Sequence, residues 1–135
     1  MAISNITAQY SADLDTVWRI VTSLSDYEWR SDLSKIETID NEKKFIEYTK
    51  DGYATNFCIT VFEPLKRYEF DMDNSNMSGH WTGIFSEKNG MTYINFTEDV
   101  TAKKLYLKPF VKGFLKNQQA QYIRDLEAKI SSLTK

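Results

Sequence analysis

Apolar and polar residues alternate weakly from Ile3 to Tyr10, the period of an N-terminal strand with one buried face. The spacing then changes: Leu14, Val17, Trp18 and Val21 recur at three- and four-residue intervals behind Asp13, a residue suited to cap a helix, and predict a first short helix. Ser25 and Glu28 have the spacing of a capping box, so Ser25 to Asp32 is predicted as a second short helix carrying Trp29 and Arg30. From Leu33 to Thr101 turn signals fall at strand-length intervals, at Asp40-Asn41, Asp51-Gly52, Pro64-Leu65, Asp73 to Asn76 and Asn89-Gly90. They predict six strands in an antiparallel meander. From Lys103 to Leu133 the pattern is helical, with Val111, Leu115, Tyr122, Leu126, Ile130 and Leu133 on one stripe and Leu107, Phe110 and Phe114 beside it. Pro109 falls in the first turns, where proline is tolerated or marks a kink after a short lead-in.

Folding the hairpins on paper tests which face is apolar, because side chains alternate along a strand and the turn sets the register. A two-residue Asn89-Gly90 turn puts Phe85 opposite Ile94, Gly83 opposite Phe96 and Trp81 opposite Glu98. A Pro64-Leu65 turn pairs Val61 with Tyr68, Ile59 with Phe70 and Phe57 with Met72. A four-residue connection at Asp73 to Asn76 sets Tyr68 opposite Trp81 and Met72 opposite Met77. All these residues share one face. The other face holds Cys58, Thr60, Glu69, Asp71, Asp73, His80, Thr82, Asn95, Thr97 and Asp99, which suits water. A sheet with one apolar face needs a cover, and the last helix can supply it.

Composition narrows the function classes. The 135 residues fit one domain, 1–135, without repeats or linkers. Aromatics reach 14%, enough to fill a core and line a pocket as well. The net charge is -2 and basic residues are scattered among acids, which argues against nucleic acid as a partner. The N-terminal residues lack a signal pattern and no apolar run approaches the roughly 18 residues of a membrane span. A soluble, cytoplasmic protein with no membrane span is expected. One cysteine, Cys58, excludes an internal disulfide and is read as an inert strand residue. With His80 the single histidine, no metal site is predicted.

Several residues stand out as candidate chemistry. Glu98 is placed on the inner face between Phe96 and Val100, where a carboxylate tends to take up a proton. It is either a proton carrier or ligand partner, or a structural acid bonded to Arg30, a lysine or a backbone amide. Gln119 interrupts the apolar helix stripe and must bond a ligand, a buried water or a strand backbone group. Gln118 and Gln121, at the stripe's edge, are expected to be solvated. Trp29 and Arg30 are placed at the mouth of the space between helix and sheet, where Arg30 could bind a ligand carboxylate or pair with Glu98 or Glu47, and Trp29 is a ligand contact or a packing anchor. Tyr53, Tyr68 and Tyr122 point inward by parity, and with Phe57, Trp81 and Phe96 they make the walls of a small-molecule pocket. Phe70, Phe85, Val111 and Leu115 complete the predicted lining. His80, by parity, belongs outside. No nucleophile elbow, phosphate loop or dinucleotide fingerprint occurs.

The order of strand, two small helices, six-strand meander and long terminal helix resembles the START-like, or SRPBCC, superfamily. The segments GHWTGIFSEKNGMTYINFTEDV and KPFVKGFLKNQQAQYIRDLEAKI look like the closing hairpin and long helix of its bacterial polyketide cyclase/dehydrase-like members. The resemblance spans the chain. It implies an α+β helix-grip fold, a curved antiparallel sheet of about seven strands wrapped around the terminal helix, with a hydrophobic cavity between them. It implies binding of a small apolar or aromatic molecule, lipid- or polyketide-like. Alternatives within the superfamily are a cyclase/dehydrase-type enzyme with Glu98 or Arg30 moving protons, and a co-chaperone-like interaction domain. The last needs an exposed apolar patch, which the sequence does not signal. Iron and iron-sulfur versions need more Cys and His than this chain has, so no cofactor is expected. An apolar edge strand at Ile3 to Tyr10 could pair with a neighbour, which leaves the oligomeric state open.

Overall fold

In the computed structural model, which describes residues 2–39, 41 and 43–133, β1 (Ala2–Tyr10) leads into α1 (Leu14–Thr22). Six strands follow: β2 (Leu33–Ile39), β3 (Lys44–Thr49), β4 (Ala54–Glu63), β5 (Arg67–Asp73), β6 (Met77–Lys88) and β7 (Met91–Ala102). A 3-10 turn, Leu105–Leu107, then enters α2 (Lys108–Leu133), with Pro109 in its first turn. The strands form one antiparallel sheet in the order β1-β7-β6-β5-β4-β3-β2, a meander whose last strand returns beside the first. This is the α+β helix-grip arrangement expected. Asp40, half of the predicted Asp40-Asn41 turn, lies outside the described residues.

Asp13 caps α1 by accepting a hydrogen bond from the Thr16 amide at 2.9 Å, and Val17, Trp18 and Ile20 bury its inner face. The predicted second helix does not form. Instead Ser23, just past α1, accepts hydrogen bonds from the Ser25 and Asp26 amides and opens a run of turns. A segment that short gains little from helix nucleation, while its side chains gain contacts elsewhere: Trp29 packs on Tyr122 and Arg30 pairs with Glu47.

The Asn89-Gly90 hairpin has the register read from its turn, with Phe85 opposite Ile94, Gly83 opposite Phe96 and Trp81 opposite Glu98. Both turn residues have positive φ, 54° and 77°, which Asn and Gly adopt readily. Two other registers differ from expectation. At Pro64 the loop has three residues, closed by the Lys66 amide on the Glu63 carbonyl at 3.0 Å, with Leu65 at φ 67°. A bulge between Ile59 and Val61 absorbs the extra residue, so Phe57 still faces Met72 and Ile59 faces Phe70, but Phe62 and not Val61 stands opposite Tyr68. At the next turn the Asn74 amide bonds the Met77 carbonyl, keeping Asp73 in the strand opposite Ser78. The register therefore moves by two: Tyr68 faces Gly83, Phe70 faces Trp81 and Met72 faces Gly79. An even shift leaves the side chains of β5 and β6 on their expected faces, whereas the bulge in β4 puts Phe62 on the face of Tyr68 and Trp18 and moves Val61, expected there, to the face of Glu69.

Trp81 and Phe96 are accordingly buried inside. One core cluster joins Val17, Trp18 and Ile20 of α1 to Phe85, Ile94 and Phe96 of the sheet and Leu126 and Ile130 of α2. A second gathers Val100, Ala102, Val111 and Leu115 at the start of α2. Between them the sheet and helix part.

Candidate functional site: a cavity between sheet and helix

The gap is a cavity of about 410 Å³. Its floor is the inner face of β3 to β7, where Phe45, Phe57, Phe70, Trp81 and Phe96 make a continuous aromatic surface. Phe45 stacks on Phe57 with planes 6° apart, and Phe70 stacks on Trp81 at 4.8 Å. Tyr122 of α2 closes over Phe96 at 5.9 Å. The mouth lies where residues 23–32 approach α2, because Phe114, Asn117 and Gln118 line the cavity and are also exposed. There the Ser31 amide and hydroxyl both donate to Asp125, and Gln121 donates to Ser31.

Arg30 crosses this mouth with its side chain only 15% exposed. Its Nη1 donates to Glu47 at 2.8 Å and its Nη2 to Asp32 at 3.0 Å, while the guanidinium lies 5.1 Å from the Tyr122 ring centroid. Burial works against the guanidinium charge, but Glu47 and Asp32 outweigh it and leave the pKa raised. Of the two partners predicted for Arg30, the structure selects Glu47.

Glu98 is 8% exposed and lines the cavity, yet its carboxyl makes no hydrogen bond or ion pair among the described residues. Burial pushes its carboxyl up to about 7, helped by the nearby Glu47 charge and opposed by Arg30. The hydroxyls of Tyr68 and Tyr122 also have no hydrogen-bond partner among the described residues, and burial raises both pKa values. One carboxyl and two phenols thus share an aromatic chamber without being used by the protein itself.

Gln119 resolves differently from its neighbours. Its Oε1 accepts from the Ser4 hydroxyl at 2.6 Å and its Nε2 donates to the Ser4 carbonyl at 3.1 Å, so the amide is spent on joining α2 to β1. It borders the cavity, but of its possible roles the structural one is filled.

No family model matches this chain, and no curated protein is detectably similar in sequence. Solved structures do match. The protein XoxI from Bacillus cereus superposes with a TM-score of 0.83, covering 100% of this chain and 99% of that one at 13% identity. A START superfamily protein from Mycobacterium smegmatis gives 0.80, covering 97% and 98% at 15% identity. The fold is START-like. CalU16 from Micromonospora echinospora shares it at 0.66, with 96% of this chain and 79% of that one covered at 15% identity.

Within this START-like frame, Trp29, Arg30, Phe57, Tyr68 and Phe70 all reach the cavity, as do Trp81, Phe96, Glu98, Gln119 and Tyr122. Four predicted lining residues do not. Phe85 packs 4.9 Å from Trp18 in the core, Val111 and Leu115 fill the second cluster, and Tyr53 sits in a turn bonded to Ser75. Phe45 and Ile36 were missed: the Asp51-Gly52 signal lies within a four-residue connection, residues 50–53, which does not by itself fix the parity of the first two strands of the meander. Gln118 and Gln121, expected to be solvated, border the mouth.

On the outer face of the START-like sheet His80 bridges Asp71 at 2.7 Å and Glu69 at 2.6 Å. Burial pulls the imidazole pKa down, but the two carboxylates outweigh it and hold it raised; Glu69 is correspondingly lowered, chiefly by its hydrogen bond with His80. An exposed apolar patch, not signalled in sequence, runs along the entry to α2: Leu105, Tyr106, Phe110 and Phe114 are 80%, 68%, 69% and 49% exposed. The helix stripe turns away from these rings once α2 docks through Val111 and Leu115. Among the described residues no helix is long and apolar enough to cross a membrane.

Proposed function

We propose that this START-like protein binds a small apolar or aromatic molecule in the cavity between its sheet and α2. The observation that carries the reading is the pairing of a continuous aromatic wall with polar groups that no protein partner occupies: Glu98, Tyr68 and Tyr122. Protein interiors otherwise close such gaps and pair such groups. The test is titration with Nile red, a neutral dye whose emission rises in apolar surroundings. One equivalent per chain should bind, and Met72→Trp, which fills the space from β5, should remove the signal while far-UV circular dichroism stays unchanged. Emission no higher than in buffer would remove the reading.

A second reading, a cyclase/dehydrase-type enzyme, draws support from Glu98 alone. A carboxyl whose pKa is about 7 is suited to exchange a proton with a bound polyketide-like substrate near neutrality. A Glu98→Gln variant that binds substrate but no longer converts it would support this reading; unchanged turnover would exclude Glu98 from it.

A further inference from the structure

The cavity is as unusual in its charge as in its aromatic content. Arg30 is the one cation among its described lining residues, set against three acids, Asp32, Glu47 and Glu98. Arg30 is already committed, with Glu47 and Asp32 both on its guanidinium. Its remaining Nε is without a partner but is closed off by surrounding protein, so it offers nothing to a guest. Among the described residues no lysine lines the space.

We propose that the molecule bound here carries a protonated amine on an apolar body, and that Glu98 is its counter-ion. The inference rests on the cavity being a ligand site and deepens that reading by fixing the charge of the ligand.

Three classes of guest can be compared. An acid would bring another negative charge into a chamber whose one described cation is spent, leaving it only neutral donors such as the Tyr68 and Tyr122 phenols and the Asn117 and Gln118 amides at the mouth. A neutral molecule would bring no positive charge to Glu98, whose nearby cation, Arg30, is already shared between Glu47 and Asp32. An ammonium supplies that charge and several N–H donors, while Tyr68 and Tyr122 offer oxygen acceptors in the same space. The walls favour the same choice, because the faces of Trp81, Phe96 and Tyr122 carry the negative side of the ring quadrupole. The groups that bear on Glu98 are Arg30 and Glu47, and with Asp32 included these sum to one negative charge before Glu98 ionises. A cation is therefore favoured in either protonation state of Glu98. When Glu98 starts neutral, its proton leaves to solvent as the ammonium enters.

The experiment compares decylamine, decanol and decanoate, matched in chain length, by calorimetry at about pH 8, where the amine is charged. Decylamine should bind about tenfold more tightly than decanol, with decanoate weakest. Near neutral pH, its binding should release protons, read from the difference in heat between buffers of unlike ionisation enthalpy. In Glu98→Gln the advantage of the amine over decanol should fall about fivefold, and proton release should vanish. Decanoate binding as tightly as decylamine, or an amine preference undiminished in Glu98→Gln, overturns the inference but leaves the cavity reading intact. If none of the three compounds binds and Nile red also fails, the cavity reading itself falls and this inference with it.

Discussion

The Trp81 indole lies directly over Gly83, two residues along the same strand, so that a Cβ at position 83 would collide with the ring edge and come within 3.2 Å of Phe96. Phe70, stacked against the indole at 4.8 Å, opposes its displacement. The flat aromatic floor of the cavity therefore depends on a missing side chain. Gly83→Ala should destabilise the fold by about 1–3 kcal/mol through overpacking, and change the near-UV circular dichroism of the ring cluster. Urea denaturation checks the first, and a wild-type midpoint would mean that the indole is free to move.

Glu98 should make stability depend on pH in a definite direction. Its folded pKa of about 7 lies above the ordinary 4.5, so the native state binds its proton more tightly than the unfolded chain does. The contribution is fully present below the ordinary value and is lost as pH rises through the folded value. The whole span corresponds to roughly 3 kcal/mol. Glu98→Gln should be more stable than wild type above neutral pH and should flatten this part of the profile. Denaturation curves at several pH values decide it.

The Arg30–Glu47 pair is mostly buried, each side chain 15% exposed, so removing one member strands the other. Arg30→Met should cost about 3 kcal/mol, and Glu47→Met a comparable amount. The double variant should recover at least half of the summed loss, because neither charge is then left alone. Strict additivity in the double-mutant cycle would show that the two are not coupled.

His80 offers a contrast on the solvent side. Its pKa is raised above the ordinary 6.5 by Asp71 and Glu69 against the effect of burial, so its stabilisation is present below that value and lost as pH rises past the raised one. With the ring 37% exposed, solvent screening keeps the contribution below about 1 kcal/mol. Proton NMR should place the His80 titration above 6.5, and high salt should move it back down.

The features that were legible in sequence are those governed by parity. Trp81, Phe96 and Glu98 could be placed inside, and His80 outside, because the Asn89-Gly90 turn admits one geometry and alternation does the rest. The Pro64 hairpin was less readable: a leucine at positive φ gives no local signal, and the bulge that compensates for it leaves none either. The Ser25–Glu28 spacing looked like a helix start, yet Trp29 and Arg30 are drawn to Tyr122 and Glu47, partners distant in sequence. For the site, the aromatic wall and Glu98 followed from periodicity. The commitment of Gln119 to Ser4 did not, since a pattern shows that an amide is buried without showing which strand answers it.

That amide has a consequence for assembly. Gln119 and Ser4 are 4% and 3% exposed, and each supplies what the other lacks at one axial position of the helix. Apolar side chains tolerate a helix that slides along its seat, but a displacement of one turn would leave both polar groups facing hydrocarbon. The pair acts as an indexing pin that selects a single docking depth for the terminal helix, and through it a single height for the roof above the aromatic floor.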